Sequence, residues 1–278
     1  MQAGTSARAG RYAPCAAESG ELHMDSPQDR VILSRAGDIA TLTLNRPEAR
    51  NAINYAMLER LDGIMRELWA DPPRVLILGA TAPGFCAGLD IKDPREADPA
   101  HVAVRVRLMH GMLRALRTLP APVVAAVDGV VAGLGMELVI SADLRLASPA
   151  SRFSYPEPKV AVPSPAGHLV ALIGLPRAQE MLLTARWVPA DEAERWGLAT
   201  RVVTDPMRAA RELAAEMLAL SPISLRLTKE SLWLAVEPGA DAAMKHHIAS
   251  VTYAAGTRDR REALAAFRER RPPRFVGE

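Results

Sequence analysis

Residues 122–138, PVVAAVDGVVAGLGMEL, combine an apolar run, a series of glycines and a carboxylate. The apolar run 122–128 predicts a buried strand, residues 129–135 predict a glycine-containing loop, and a helix is predicted to begin near Leu134. Unpaired N–H groups at such a loop-to-helix junction favour negative charge that develops on an oxygen. Glu137 falls in the first turn of the helix, where a lone carboxylate is usually only a favourable partner of the helix dipole.

The pattern around this stretch predicts an α/β core followed by a helical region. Strands alternate with helices in the first half, and the chain is mostly helical from about residue 166. A Ser-Pro pair, Ser221 and Pro222, predicts a helix start. The predicted strands are 31–35, 39–44, 74–78, 122–128 and 143–147, and the longest predicted helices are 55–69, 102–116 and 258–270.

Composition narrows the classes of protein. The 278 residues are 49% hydrophobic, and 34 Lys and Arg residues nearly balance 32 Asp and Glu residues, which argues against a nucleic-acid-binding protein. No run of about eighteen apolar residues predicts a membrane span. Cys15 and Cys86 cannot form a disulfide framework, so we expect a cytoplasmic protein. Residues 1–27 have no secretory apolar region and are expected to form a flexible extension.

Two further segments could carry chemistry. Residues 84–92, GFCAGLDIK, follow a predicted strand, and their small residues would let the backbone approach a ligand, although a plain Gly-rich turn is the simpler interpretation. In residues 153–159, FSYPEPK, two prolines flank Glu157, which alone would be interpreted as an exposed acid paired with Lys159. Neither a dinucleotide-binding G-x-G-x-x-G pattern nor a G-x-S-x-G nucleophile motif is present, and no metal-ligand spacing is found.

Together these segments resemble the crotonase (enoyl-CoA hydratase/isomerase) family. The resemblance includes residues 44–52, LNRPEARNA, and residues 262–267, EALAAF, so that it covers roughly residues 30 to 275. It implies an α/β fold built as a spiral of ββα units with a C-terminal helical trimerisation region. The implied parts are the extension 1–27, a core over 28–205 and an oligomerisation region over 206–278, and the implied assembly is a homotrimer or hexamer.

The resemblance also implies an enoyl-CoA hydratase that needs no metal or separate cofactor, since coenzyme A (CoA) is part of the acyl-CoA thioester substrate. Glu137 would act on the water and Glu157 on the proton at Cα, and the N–H groups of Leu89 and Leu134 would form an oxyanion hole. The implied CoA-binding residues are Arg46, Arg50, Ala52, Ala87, Gly88, Asp90, Ile91, Phe267 and Arg270.

Departures from the family pattern keep alternatives open. Leu134 stands where the family commonly has glycine, and the loop after Glu157 is rich in proline (residues 162–165). The acyl-chain preference is therefore not predicted. His168, close by, is interpreted as a structural or pocket-lining residue. An enoyl-CoA isomerase of the same fold and a non-catalytic acyl-CoA-binding subunit are the alternative functions.

Overall fold

Two β-sheets organise the chain in a computed structural model that describes residues 27–220 and 222–273. The main sheet has six strands in the order β1-β2-β3-β4-β6-β9, and the smaller sheet has the order β5-β7-β8. β1 and β2 are antiparallel, as are β7 and β8, and the other neighbours are parallel. The strands are β1 (Val31–Ala36), β2 (Ile39–Leu44), β3 (Val75–Ala80), β4 (Val123–Val127), β5 (Val130–Ala132), β6 (Leu144–Ala147), β7 (Arg152–Ser154), β8 (Val188–Pro189) and β9 (Arg201–Val202).

Ten α-helices complete the described part of the chain. The local sequence explains where two of the long helices begin. The Asn54 side chain accepts a hydrogen bond from Met57 N at the start of α2, and Asp98, which precedes Pro99, caps α3. The helices are α1 (Pro27–Arg30), α2 (Tyr55–Ala70), α3 (Pro99–Arg117), α4 (Leu134–Ile140), α5 (Gly167–Ile173), α6 (Leu175–Thr184), α7 (Ala190–Trp196), α8 (Pro206–Leu218), α9 (Pro222–Ala255) and α10 (Arg258–Glu269), with 3₁₀ turns at Pro47–Ala49, Pro94–Ala97 and Glu157–Val160.

The ββα unit recurs along the chain, as predicted. β4 lies in the main sheet, β5 lies in the smaller sheet, and α4 follows. β6 and β7 repeat this division and lead into the 3₁₀ turn that carries Glu157. An earlier unit is visible where Cys86, beyond β3, forms a parallel bridge to Val131 of β5. Each unit therefore places the segment after its second strand near the same edge of the smaller sheet.

The two faces of the main sheet are buried by different helices. On β3, Val75 and Ile77 belong to a cluster with Ala210 and Ala214 of α8. The alternate residues of β3 join the larger cluster that contains the apolar face of α2 and α3. A strand buried on both faces has a continuous apolar sequence, which residues 75–78 show. Since α8 packs on the core sheet, the first helix of the predicted oligomerisation region lies against the predicted core.

One local prediction is corrected. Val130–Ala132 is a strand inside the predicted loop 129–135, because it pairs with β7. Glu157 lies in a 3₁₀ turn. The region from residue 166 is mostly helical, as predicted, and also contains the two short strands β8 and β9. Residues 1–26 of the predicted extension and the predicted N-cap Ser221 lie outside the described residues, and Pro27 begins α1. None of the described helices has the length and apolarity to cross a bilayer.

Candidate active site

Asn51 fixes the first loop of the site. Its side-chain Nδ2 donates to the carbonyl oxygens of Thr81 and Gly84, both at 2.7 Å, and its Oδ1 accepts from Arg46 N at 2.7 Å. Asn51 is fully buried and has a positive φ of 55°, a conformation that asparagine tolerates better than most residues. One buried amide thus ties the segment before α2 to the segment after β3.

Small residues bring two distant loops into contact. A Cβ placed on Gly88 would lie 3.1 Å from Ala132 O, and one placed on Gly135 would lie 2.7 Å from Cys86 Cβ. The backbone is paired as well, since Cys86 N donates to Val130 O at 3.0 Å and Ala132 N donates to Cys86 O at 2.9 Å. The loop after β3 and the loop after β5 therefore form one continuous wall.

Two backbone N–H groups on this wall make no hydrogen bond within the described residues. Around the first, Ala87 N donates to Arg50 O and Asp90 N donates to Ile53 O. Around the second, Gly133 N donates to Ser154 O and Met136 N donates to Gly133 O. The two groups between them are Leu89 N and Leu134 N, and neither donates a hydrogen bond to residues 27–220 or 222–273. Both residues line the same cavity.

That cavity has a volume of about 930 Å³ and is open to the surface. Its wall combines the two loops with the 3₁₀ turn of Glu157, the nearby Val162, and α10. The lining residues include Arg46, Arg50, Ala52, Ala87, Gly88, Leu89, Asp90, Ile91, Leu134, Glu157, Ala263 and Phe267. Arg46 is held in place by Asp90, with Nη1 and Oδ2 2.6 Å apart.

Glu157 reaches the cavity from its far wall. The residue as a whole is half-buried, but its Oε1 lies 2.9 Å from where a Cβ on Gly133 would stand. Ser164 Oγ lies 3.5 Å from its other oxygen, at the limit of a hydrogen bond. Burial of the carboxyl group raises the pKa of Glu157 to about 8, and the negative charge of Glu137 acts in the same direction. Lys159, the predicted partner, is exposed and makes no ion pair with Glu157.

Glu137 is more deeply buried than Glu157. It is 4% exposed, and Tyr155 Oη donates to its Oε1 at 2.5 Å. Burial raises the pKa of Glu137 to about 7, while the Tyr155 hydrogen bond and the charge of Arg117 oppose the rise. The negative charge of Glu137 contributes to the raised pKa of Glu157, so the two carboxyl groups interact electrostatically.

The predicted site residues converge, with two exceptions. Eight of the nine predicted CoA-binding residues line the cavity, together with Leu89, Leu134 and Glu157. Arg270 does not line it; the next residue, Arg271, does. Arg270 ends α10 with a φ of 54°. Glu137 is absent from the lining, although its charge acts on Glu157.

Several residues of the site are not predicted by the sequence. Tyr155 stands in the segment 153–159 without an assigned role, and its bond to Glu137 joins positions 18 apart in the chain. Arg105, on α3, and Arg260, on α10, are both buried and line the cavity. Of these three residues, only Tyr155 could have been suspected from its residue type, because a buried tyrosine requires a hydrogen-bond partner for its hydroxyl group.

His168 lies outside the cavity wall. It is buried in an edge-to-face contact with Trp233, with ring centroids 6.0 Å apart. Burial lowers the pKa of His168 to about 4, and the charge of Arg117 acts in the same direction. The imidazole is thus neutral at pH 7, in keeping with the structural interpretation.

Comparison with known proteins identifies the relatives of this chain. The family described as enoyl-CoA hydratase/isomerase matches residues 34–278. The short-chain-enoyl-CoA hydratase of Clostridium acetobutylicum is 32% identical over 87% of this chain and 96% of its own length. The enoyl-CoA isomerase/hydratase fer4 of Mycosarcoma maydis is 34% identical over 85% of this chain and 92% of its own.

Comparison with solved structures points to the same family. The crystal structure of an enoyl-CoA hydratase from Mycobacterium avium subsp. paratuberculosis K-10 superposes with a TM-score of 0.81 at 26% identity. The match covers 89% of this chain and 98% of that one. The predicted crotonase-like α/β architecture is confirmed.

Proposed function

The chain belongs to the enoyl-CoA hydratase/isomerase family, and from that membership we propose that it adds water reversibly across the 2,3 double bond of a trans-2-enoyl-CoA. The product is a 3-hydroxyacyl-CoA. The observation that carries this proposal is that Glu157 lines the same cavity as Leu89 and Leu134, whose N–H groups make no hydrogen bond within the described residues, while the charge of Glu137 acts on Glu157. Two acids with raised pKa values can hold one proton between them near neutral pH, as an addition of water requires.

The N–H groups of Leu89 and Leu134 are the proposed oxyanion hole. When water attacks Cβ, the electron pair of the C=C bond moves toward the thioester and negative charge builds on the carbonyl oxygen. Two preorganised donors stabilise that charge, and the loss of one typically costs about 10²–10³-fold in rate. Both donors are backbone groups on packed loops, so they keep their positions without substrate.

Glu137 and Glu157 divide the proton transfers in this proposal. Glu137, as a carboxylate, takes a proton from the attacking water, and Glu157, as a carboxylic acid, gives a proton to Cα. The hydroxyl group bonds to Cβ, so one water molecule is consumed. Transfer of the new proton from Glu137 to Glu157 resets the pair. Dehydration runs through the same steps in reverse.

The CoA portion of the substrate is proposed to bind along the cavity rim. Arg50, Lys92 and Lys159 are exposed lining residues and form no ion pairs within the described chain, which leaves them available for phosphate groups. Ala87 and Gly88 allow close approach of the pantetheine arm. Phe267, 45% exposed, offers a ring face to the adenine.

An enoyl-CoA isomerase is the second candidate, and one observation favours it. Glu157 lines the cavity, whereas Glu137 is buried and accepts a hydrogen bond from Tyr155. An isomerase needs only one acid, which removes a proton from one carbon of the substrate and returns it to another. In that case Glu157 alone would carry the reaction.

Assembly as a homotrimer or hexamer is part of the proposal. Large apolar side chains on the first half of α9 support it, because Ile223 is 62% exposed, Leu227 is 48% exposed and Leu232 is 65% exposed. Light scattering of the purified protein measures the mass of the assembly, and a monomer would contradict this part.

Crotonyl-CoA tests the hydratase proposal directly. Loss of the conjugated-thioester absorbance with formation of 3-hydroxybutyryl-CoA is expected from the wild type and not from Glu137→Gln or Glu157→Gln. Glu216→Gln, an exposed acid on α8, is the control and should leave the rate unchanged. A 3-enoyl-CoA tests the alternative: isomerisation that survives Glu137→Gln but not Glu157→Gln, without hydration of crotonyl-CoA, would identify an isomerase.

A further inference from the structure

Tyr155 makes a direct side-chain hydrogen bond to Glu137. Its Oη donates to Glu137 Oε1 at 2.5 Å, and the tyrosine is fully buried. Burial and the negative charge of Glu137 raise the pKa of Tyr155 well above its ordinary value. The phenol therefore stays protonated near neutral pH, and its only proton forms the hydrogen bond to Glu137.

The same short segment carries Tyr155 and Glu157. Tyr155 directly follows β7, and Pro156 separates it from the 3₁₀ turn that begins at Glu157. Proline restricts the backbone between the two side chains. A single rigid connection therefore fixes both the group that touches Glu137 and the acid that lines the cavity.

The charged groups around Glu137 come from three elements. Arg117, at the end of α3, lowers its pKa, and the charge of Glu137 in turn raises the pKa of Glu157. His168 of α5 is near Arg117 and is neutral at pH 7. The hydroxyl groups beside the two acids contact them unequally, since Tyr155 lies 2.5 Å from Glu137 whereas Ser164 lies 3.5 Å from Glu157.

We propose that Tyr155 is a positioning residue that keeps Glu137 in its ionised form and leaves the shared proton on Glu157, so that base and acid are assigned before substrate binds. This inference rests on the proposed hydration. A hydrogen bond to a charged acceptor is stronger than one to a neutral acceptor, so the short bond favours the carboxylate of Glu137. Tyr155 occupies Oε1, and Oε2 is the oxygen that receives the proton of water.

Tyr155→Phe removes the hydroxyl group and keeps the ring. In the wild type, the acidic limb of the pH–rate profile reports the ionisation of Glu137. Without its donor the carboxylate is less stable, so the acidic limb should move to higher pH by about one to two pH units. At a fixed pH on that limb, kcat should therefore fall about tenfold to a hundredfold, while KM for crotonyl-CoA stays unchanged.

An infrared titration provides a readout that needs no turnover. The carboxylic-acid C=O band that disappears in Glu137→Gln belongs to Glu137, and its midpoint should rise in Tyr155→Phe. Phe153→Leu, a buried aromatic residue on β7, is the packing control: it should lower the melting temperature without moving the midpoint. An unmoved midpoint in Tyr155→Phe would overturn the inference. If the wild type does not hydrate crotonyl-CoA but the midpoint moves, the proposed function fails and the assignment of the proton stands.

Discussion

Glu157 Oε1 lies 2.9 Å from the point where a Cβ on Gly133 would stand. Gly133 has a φ of 51° and directly precedes Leu134, whose N–H group is unpaired. One residue without a side chain thus positions a donor of the proposed oxyanion hole and leaves room for the proposed acid. The position of the proposed oxyanion donor and the position of the proposed acid therefore both depend on the absence of a side chain at Gly133.

Gly133→Ala is expected to displace the Glu157 carboxyl group and to strain the backbone before Leu134. A misplacement near 1 Å at reacting groups costs on the order of 10²-fold, so kcat on crotonyl-CoA should fall by about that factor. Steady-state kinetics measure the change. A rate within about twofold of the wild type would show that this contact does not position the acid.

Gly63→Ala is the matched glycine control. Gly63 lies inside α2, and a Cβ there would meet nothing within 4 Å. Alanine is favoured over glycine in a helix interior by roughly 0.5–1 kcal/mol. This variant should therefore be slightly more stable, with unchanged kinetics, in denaturant titration and in the same assay.

Asn51→Ala is expected to destabilise the protein and to loosen the loops that are proposed to bind CoA. It leaves the buried carbonyl oxygens of Thr81 and Gly84 without donors and places alanine at a positive φ. These effects together should lower the free energy of unfolding by about 3 kcal/mol. Urea denaturation measures the loss. Asn45→Ala, which removes one exposed bond to Asp29 O, should cost less than about 1 kcal/mol.

Stability should decrease as pH rises toward 8. The pKa values of Glu137 and Glu157 are raised to about 7 and about 8 in the folded state, above the ordinary value of 4.5. The folded protein therefore binds these protons more tightly than the unfolded chain, so their contribution is complete below pH 4.5 and is lost as pH rises through 7 and 8. Thermal melts of wild type and Glu157→Gln from pH 5 to 9 test this, and an equal slope in both would contradict it.

Lys229→Met is expected to weaken the contact between α9 and the core. Lys229 Nζ donates to Ala121 O at 2.9 Å and lies 2.8 Å from Asp143 Oδ2, and the lysine is buried. Removal of one partner of a buried pair is costly, but Asp143 is partly exposed, so we expect a loss of about 2 kcal/mol. Asp143→Asn in the same chain should restore part of the loss. An additive double variant would show that the two groups are not coupled.

Helices and strands with a long run of regularly placed apolar residues were predictable from the sequence. The apolar spacing of α2 and the continuous apolar run of β3 predict their type and position within two residues. The strand Val130–Ala132 was not predictable, because three residues beside glycines form a strand only through pairing with β7. β8 and β9 have two residues each, too few for any pattern.

The site was predictable as a set of segments but not as a geometry. The segments around Gly88, Gly133 and Glu157 have unusual local sequences and converge on one cavity. No local signal shows that Glu137 is buried, since a carboxylate in the first turn of a helix is common. The partner of Tyr155 also depends on how β7 lies beside β5, which only the tertiary structure shows.

The parallel bridges that join Ile53 to Leu89 and Cys86 to Val131 have a consequence for folding. Residues 53 and 89 are separated in the chain by α2 and β3, and residues 86 and 131 by α3 and β4, so this part of the wall forms through non-local contacts. A nascent chain released before residue 152 would contain both proposed N–H donors yet lack the strand β7 that supports them. Ligand binding should consequently appear in a single step with completion of the fold, and fragments of the chain should not retain it.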